Sequence, residues 1–224
     1  MINGFDPTLI LALNLAGTFV FGLSGGMAAA RARLDIFGVI VLAAVVGLAG
    51  GIIRDLLIGT PPETFRDWRY LVAVGAAGVV CFFALPLLDR VQSSVLVFDA
   101  MGLSLFAITG ASKAIDFRLG AVQAVILGAI TGIGGGMLRD VLLRRVPGVL
   151  GRGDPLYAIP ALLGATILVV GHAIGSRSAV FPLLGAAACL GLRLVSIRFR
   201  LGLPAAPGVR GERGDEDDDD PPPR

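Results

Sequence analysis

Charge is scarce in this chain of 224 residues: Asp, Glu, Lys and Arg together make up 16%, where a soluble domain carries about 25%. Cysteine is nearly missing. Cys81 and Cys189 each stand alone in an apolar run, which excludes a disulfide scaffold and any site built on Cys pairs at ligand spacing. His172 is the only histidine. With no Ser/His, two-Asp or metal constellation in view, no enzyme is expected. The net charge is +2 and no basic stripe exists, so a nucleic-acid partner is excluded as well. What the chain has instead is apolar residues, 55% of the total, with a mean hydropathy of +0.82. Its 32 glycines are about twice ordinary usage. A water-soluble globule has no way to hide so much apolar surface, and the natural solvent is a bilayer.

A transmembrane helix needs about 20 apolar residues, and seven runs qualify. They are Thr8–Ala30, Ile36–Ile53 (continuing through Arg54-Asp55 to Ile58), Leu71–Leu88, Val91–Ser112, Leu119–Leu138, Leu156–Ser176 and Ser178–Leu192. The last reaches Ile197 if Arg193 snorkels to the interface. Strand-like alternation is absent and the runs are too long for barrel strands, so the expected fold is an all-α integral membrane protein of seven transmembrane helices. The tail from Pro204 contains the unbroken acidic run Asp215–Asp220 followed by Pro221–Pro223, and is expected to be disordered.

Sliding the sequence by 85 residues lays Asn14–Leu57 over Asp99–Leu142 without a gap, with 14 identities in 44 positions. Gly17/Gly102, Phe21/Phe106, Gly25/Gly110, Arg33/Arg118 and Gly47/Gly132 match, and both copies carry Gly-Gly-x-x-Arg-Asp, at Gly50–Asp55 and Gly135–Asp140. The first run is thus matched by the fourth and is not a cleaved signal peptide. Each unit holds three spans, an odd number, so the second copy enters from the opposite face as an inverted repeat. The expected organisation is a first three-helix repeat over 1–88, a second over 89–176, a seventh helix over 177–203 and the tail over 204–224. With the N-terminus outside, the inner segments hold thirteen Lys and Arg and the outer six. That bias predicts N-out, C-in, in a cell (inner or plasma) membrane.

Spacings of three, four and seven put Gly47, Gly50/Gly51 and Arg54 on one face of the second helix, and Gly132, Gly135/Gly136 and Arg139 on one face of the fifth, where Gly134 adds a further glycine. Each glycine weakens a helix by about 1 kcal/mol relative to alanine, so such clusters predict a kink or break near mid-span. Paired broken helices in inverted repeats point to an ion or substrate path; the competing reading is close helix packing by small residues. No GxGxxG or GxxxxGK[ST] register fits Gly132–Arg139, and a phosphate loop is rejected. Asn14, Gly17, Phe21 and Ser24 overlie Asp99, Gly102, Phe106 and Thr109 on a second shared face, which Lys113 extends. An intramembrane Asp is a functional candidate by default; for Asp99 the alternative is a structural ion pair with Arg139 or Arg54, or a place near the interface. Asp55 and Asp140 are read as salt bridges or helix-end contacts, or as part of the path. His172 reads as a hydrogen-bonded packing residue, Cys81 and Cys189 as small core hydrophobes, and Trp68 with Tyr70 as an interfacial anchor.

Two inverted three-helix repeats, a seventh helix, and the motifs Gly50–Asp55 and Gly135–Asp140 resemble the prokaryotic branch of the trimeric intracellular cation channels, whose domain is also labelled bacterial glycine transporter. The resemblance covers roughly Thr8–Ile197. It implies a homotrimer in which each protomer carries its own monovalent-cation pore, mainly for potassium, between helices two and five, with the glycine segments as constriction. Ser24, Thr109, Asp99 and exposed carbonyls would replace part of the ion's hydration shell, and Arg54 and Arg139 would stand at opposite ends. The expected ligands are permeating potassium or sodium ions and membrane lipid, with no cofactor and no metal site. A secondary transporter for glycine or another small solute is the rival reading, because inverted repeats with broken helices serve carriers equally well.

Overall fold

The computed structural model describes residues 7–88, 94–151, 154–176 and 178–203. The acidic tail lies outside the described residues. Seven α-helices make up the fold: α1 (Pro7–Arg31), α2 (Ile36–Ile58), α3 (Trp68–Leu88), α4 (Ser94–Asp116), α5 (Ala121–Leu142), α6 (Ala158–Ala173) and α7 (Val180–Phe199). A 3₁₀ turn, Glu63–Phe65, sits between α2 and α3, and no strand occurs among the described residues. α1, α2, α4, α5 and α7 are long and apolar enough to cross a membrane. The other two, α3 and the 16-residue α6, are shorter apolar helices with Arg69 at the start of one and His172 at the end of the other. Phe37, Phe83 and Val122 stand more than 60% exposed on the outer surface of the bundle, where lipid solvates them at no cost.

Helix ends are set by local chemistry. The Asp35 carboxylate accepts from the Gly38 amide at 2.7 Å and caps α2. At the other end Gly59 adopts φ +80° and closes a Schellman turn, with Thr60 N–H bonded to the Asp55 carbonyl. The matching turn after α5 is closed by Arg144 at φ +56°, with Arg145 N–H on the Asp140 carbonyl. Arg33 and Arg118 close the turns after α1 and α4 in the same left-handed conformation.

The expected break at the glycines does not occur: α2 and α5 run unbroken through Gly47–Gly51 and Gly132–Gly136 and on past their Arg-Asp pairs. The reason is packing. A Cβ at Gly50 would collide with the Thr131 carbonyl oxygen, and one at Gly135 with that of Val46. Gly134 lies against Gly50 itself. The missing side chains are filled by the partner helix's backbone, so α2 and α5 cross at contact distance and no carbonyl there needs to turn away. Val46 meeting Gly135 while Gly50 meets Thr131 also means that the two helices run antiparallel.

Further contacts recur at the 85-residue offset. Gly17 on α1 receives the Phe106 ring of α4, and Gly102 on α4 receives the Phe21 ring of α1; the two ring centroids are 5.3 Å apart. Gly47 packs on the Thr18 carbonyl and Gly132 on the Leu103 carbonyl. The core thus has α1, α2, α4 and α5 at its centre, with α3 against α1 and α2, and α6 and α7 against α4.

Candidate functional site

Because α2 and α5 are antiparallel about the Gly50/Gly135 crossing, Arg54 and Arg139 fall at opposite ends of it. At 1.5 Å rise per residue they lie about 18 Å apart along the axes. Each is almost fully buried and each gathers a polar cluster.

In the first cluster Arg54 Nε donates to Asp55 Oδ1 at 2.7 Å, and its Nη1 reaches Asn14 Oδ1 at 3.4 Å. Lys113 Nζ bridges Asp55 Oδ1 at 2.8 Å and Glu63 Oε1 at 2.7 Å. The Tyr70 hydroxyl donates to Glu63 Oε2, and the Glu63 amide donates to Asp55 Oδ2. These groups close round a void of only about 10 Å³, which Gly51 also lines. That is about the least that will hold one water.

In the second cluster Arg139 Nε donates to Asp140 Oδ1 at 2.9 Å, and Nη1 donates to both Asp99 Oδ1 and Ser24 Oγ at 2.8 Å. The Gly148 amide donates to Asp140 Oδ2, eight residues on, as Glu63 does to Asp55. Tyr157, at the start of α6, donates its hydroxyl to Asp99 Oδ1 at 3.0 Å. Arg193 of α7 stacks over the Tyr157 ring at 4.4 Å, and its Nη1 donates to the carbonyls of Pro155 and Leu156. Beside this cluster opens a cavity of about 360 Å³, lined by Arg31, Arg139, Arg145, Arg193, Asp140, Asp154 and Tyr157 among others.

The clusters differ for a stated reason. Asn14 in the first repeat is Asp99 in the second, so Arg139 meets a carboxylate where Arg54 meets an amide. Lys113 has Ala28 as its counterpart and supplies the first cluster with a second cation. Thr109, the counterpart of Ser24, is fully buried with no partner for its hydroxyl, whereas Ser24 receives Arg139.

Several sequence expectations change here. Asp99 forms the ion pair with Arg139 rather than facing open space. Lys113 does not extend a free polar stripe; it ties Asp55 to the loop at Glu63. Arg193 does not snorkel: it is buried and bound to Asp99's neighbourhood, because Asp99, Tyr157 and two carbonyls offer it better partners than the distant interface. Tyr70 is no interfacial anchor, being 6% exposed with its hydroxyl on Glu63, while its neighbour Trp68 is 71% exposed. His172 is exposed rather than packed. Gly51 lines the small void, but Gly136 does not mirror it, since a Cβ there would strike the Tyr157 hydroxyl. Cys81 and Cys189 are buried as small hydrophobes. Glu63, Tyr157 and Arg193 belong to the clusters; the sequence marks Arg193 only as a snorkelling charge, and Glu63 and Tyr157 not at all. A charge inside an apolar run was the available signal for Arg193; the other two sit at loop ends with none.

The sequence profile of the glycine transporter family matches this chain twice, over residues 11–86 and 96–173. A UPF0126 membrane protein of Streptomyces coelicolor is 45% identical over 211 residues, covering 93% of this chain and 96% of that protein. The structure of the trimeric intracellular cation (TRIC) channel orthologue from Rhodobacter sphaeroides superposes with a TM-score of 0.82 at 35% identity, covering 87% of this chain and all of that one. A prokaryotic TRIC channel crystallised in 0.5 M KCl gives 0.81 at 31%, covering 88% of this chain and all of that one. An all-α membrane protein with the glycine transporter profile over most of its length, at these identities, belongs to the glycine transporter (UPF0126) family, which includes the prokaryotic TRIC channels.

Proposed function

We propose that the protein is a monovalent cation channel, potassium-preferring, with one pathway in each protomer of a homotrimer, running along the α2–α5 crossing. The observation that carries this reading is the pair of charged cavities at the two ends of one helix crossing, each headed by the arginine of a repeated Gly-Gly-x-x-Arg-Asp motif. Solved relatives named as cation channels support it. In the arrangement described the proposed path is closed, because the α2 and α5 backbones touch and Phe106 packs beside Gly50. Conduction requires these to part and Arg139 to leave Ser24 and Asp99, whose oxygens then become free for a partly dehydrated ion. The two halves act as an inverted repeat, N-terminus outside and C-terminus cytoplasmic, and reporter fusions after Leu88 and after Arg200 are expected to report cytoplasm.

A glycine or small-solute carrier has one observation in its favour, the inequality of the cavities. A void of about 10 Å³ at one end and about 360 Å³ at the other suits alternating access. Purified protein in planar bilayers separates the two. Single-channel currents, larger in potassium than in sodium, establish the channel. Silence together with saturable, gradient-driven uptake of labelled glycine overturns it.

A further inference from the structure

The two ends of the α2–α5 crossing share one backbone plan, yet one holds a void of about 10 Å³ and the other a cavity of about 360 Å³. The 85-residue offset shows what differs. Eight residues past each motif aspartate an amide donates to that aspartate's Oδ2, from Glu63 at one end and from Gly148 at the other. Glu63 brings a side chain to this place and Gly148 brings none. On the facing helices, Lys113 of α4 stands where α1 has Ala28. Ala28 and Gly148 both line the larger cavity, together with Arg139 and Asp140. That cavity therefore occupies the place which, at the Arg54 end, is taken by the side chains of Lys113 and Glu63.

The pair sits over the motif charges. Lys113 Nζ lies 2.7 Å from Glu63 Oε1 and 2.8 Å from Asp55 Oδ1. Glu63 Oε2 accepts from the Tyr70 hydroxyl at 3.0 Å and lies 3.6 Å from Arg54 Nη2. The Glu63 side chain is 38% exposed, whereas those of Arg54 and Asp55 are 3% and 1% exposed. Glu63 thus meets the solvent and the motif charges lie beneath it. An ion pair with one partner this exposed is weak, so it can part while the helices stay packed. No such pair covers Arg139 and Asp140, because alanine and glycine stand at the two equivalent positions.

We infer that the Lys113–Glu63 pair is a plug over Arg54 and Asp55. Ions and small solutes then reach the motif charges at the Arg139 end, and reach those at the Arg54 end only once Lys113 and Glu63 separate. The inference concerns access alone and is the same for a channel and for a carrier. A pair that merely ties the loop after α2 to α4 has no such effect. The loop keeps its own bonds to Asp55, from the Glu63 amide to Oδ2 and from the Thr60 amide and hydroxyl to the carbonyl.

The test exchanges residues between the two ends of the full chain in detergent. Thr18 lines the smaller void. With Thr18→Cys as reporter, adding Lys113→Ala and Glu63→Gly is expected to speed modification by a charged methanethiosulfonate at least tenfold. The native Cys81 and Cys189 are buried and report unfolding. An unchanged rate at position 18 overturns the inference. So does a gain there matched at Cys81 and Cys189, which makes the pair a tie that holds the fold. The converse chain carries Leu96→Cys, on the wall of the larger cavity, with Ala28→Lys and Gly148→Glu. Among the described residues a Cβ at Gly148 meets only Asp140 Oδ2, at 4.0 Å, so a glutamate has room. The transplanted pair is expected to slow modification at position 96 at least tenfold. An unchanged or faster rate there overturns the inference even where the first chain opens.

Discussion

Gly50 and Gly51 are neighbours with opposite roles. Gly50 faces the Thr131 carbonyl with no room for a carbon, whereas a Cβ at Gly51 meets only the Arg54 guanidinium at 4.0 Å and points into the smaller void. Gly50→Leu is expected to prevent α2 and α5 from closing, so that little folded oligomer is recovered in size-exclusion chromatography. Gly51→Leu is expected to fold and assemble normally and to abolish flux in bilayers by filling the void. If Gly51→Leu conducts like the parent, that void is not on the pathway. Both glycines stood out in the sequence, but their division of labour did not. Periodicity places them on one face, and which of two adjacent positions meets a backbone depends on the crossing geometry of a helix 85 residues away.

At the scale of elements, α7 is more than an appended span. It is fixed to α6 by a reciprocal contact, Gly164 on the Gly185 carbonyl and Gly185 on the Gly164 carbonyl, and to the α6 entry by Arg193. Removing one partner from a buried charged network costs about 3–5 kcal/mol, and Arg193 also satisfies two carbonyls that precede α6. Arg193→Leu is therefore expected to lower the thermal midpoint by many degrees. Arg198→Leu, exposed on the same helix, should change it little. Equal midpoints for the two variants would reduce α7 to a passive lipid-facing helix. Most of the element order was readable from the lengths of the apolar runs. What was not readable was the continuity of α2 and α5. Glycine's intrinsic weakness in a helix argues for a break only until a neighbouring backbone occupies the space that its missing side chain leaves.

For the whole molecule, the two arginine clusters lie at opposite ends of one crossing, so each acts most on ions arriving from its own side. Moving one charge through the full field involves about 2.3 kcal/mol per 100 mV. Arg54→Gln and Arg139→Gln are expected to alter rectification in opposite directions, with the larger effect at Arg139, whose carboxylate partner Asp99 is then left buried with only Tyr157 and the more distant Arg193. Current–voltage curves and melting midpoints on the same preparations distinguish a pathway role from tethering. If rectification is unchanged in both while the midpoints fall, the arginines hold the helix ends and nothing more. The repeat itself was legible in the sequence, as was the opposition of the two motifs. The inequality of the two ends was not, because Glu63 has only Gly148 as its counterpart, Tyr157 lies beyond the aligned stretch, and Arg193 comes from α7, which has no counterpart in the other half.

The turn that ends α2 uses Gly59 and its counterpart after α5 uses Arg144, both left-handed, at φ +80° and +56°. An L-residue held there loses about 1 kcal/mol or more relative to glycine, so Arg144→Gly should raise the melting midpoint by a few degrees. On the proposed N-out orientation, that arginine stands at the cytoplasmic end and the glycine at the outer one. On the proposed orientation Arg144 adds to the cytoplasmic charge bias, and the relaxed variant is expected to insert more often upside down, measurable as a mixed population in the same reporter fusions.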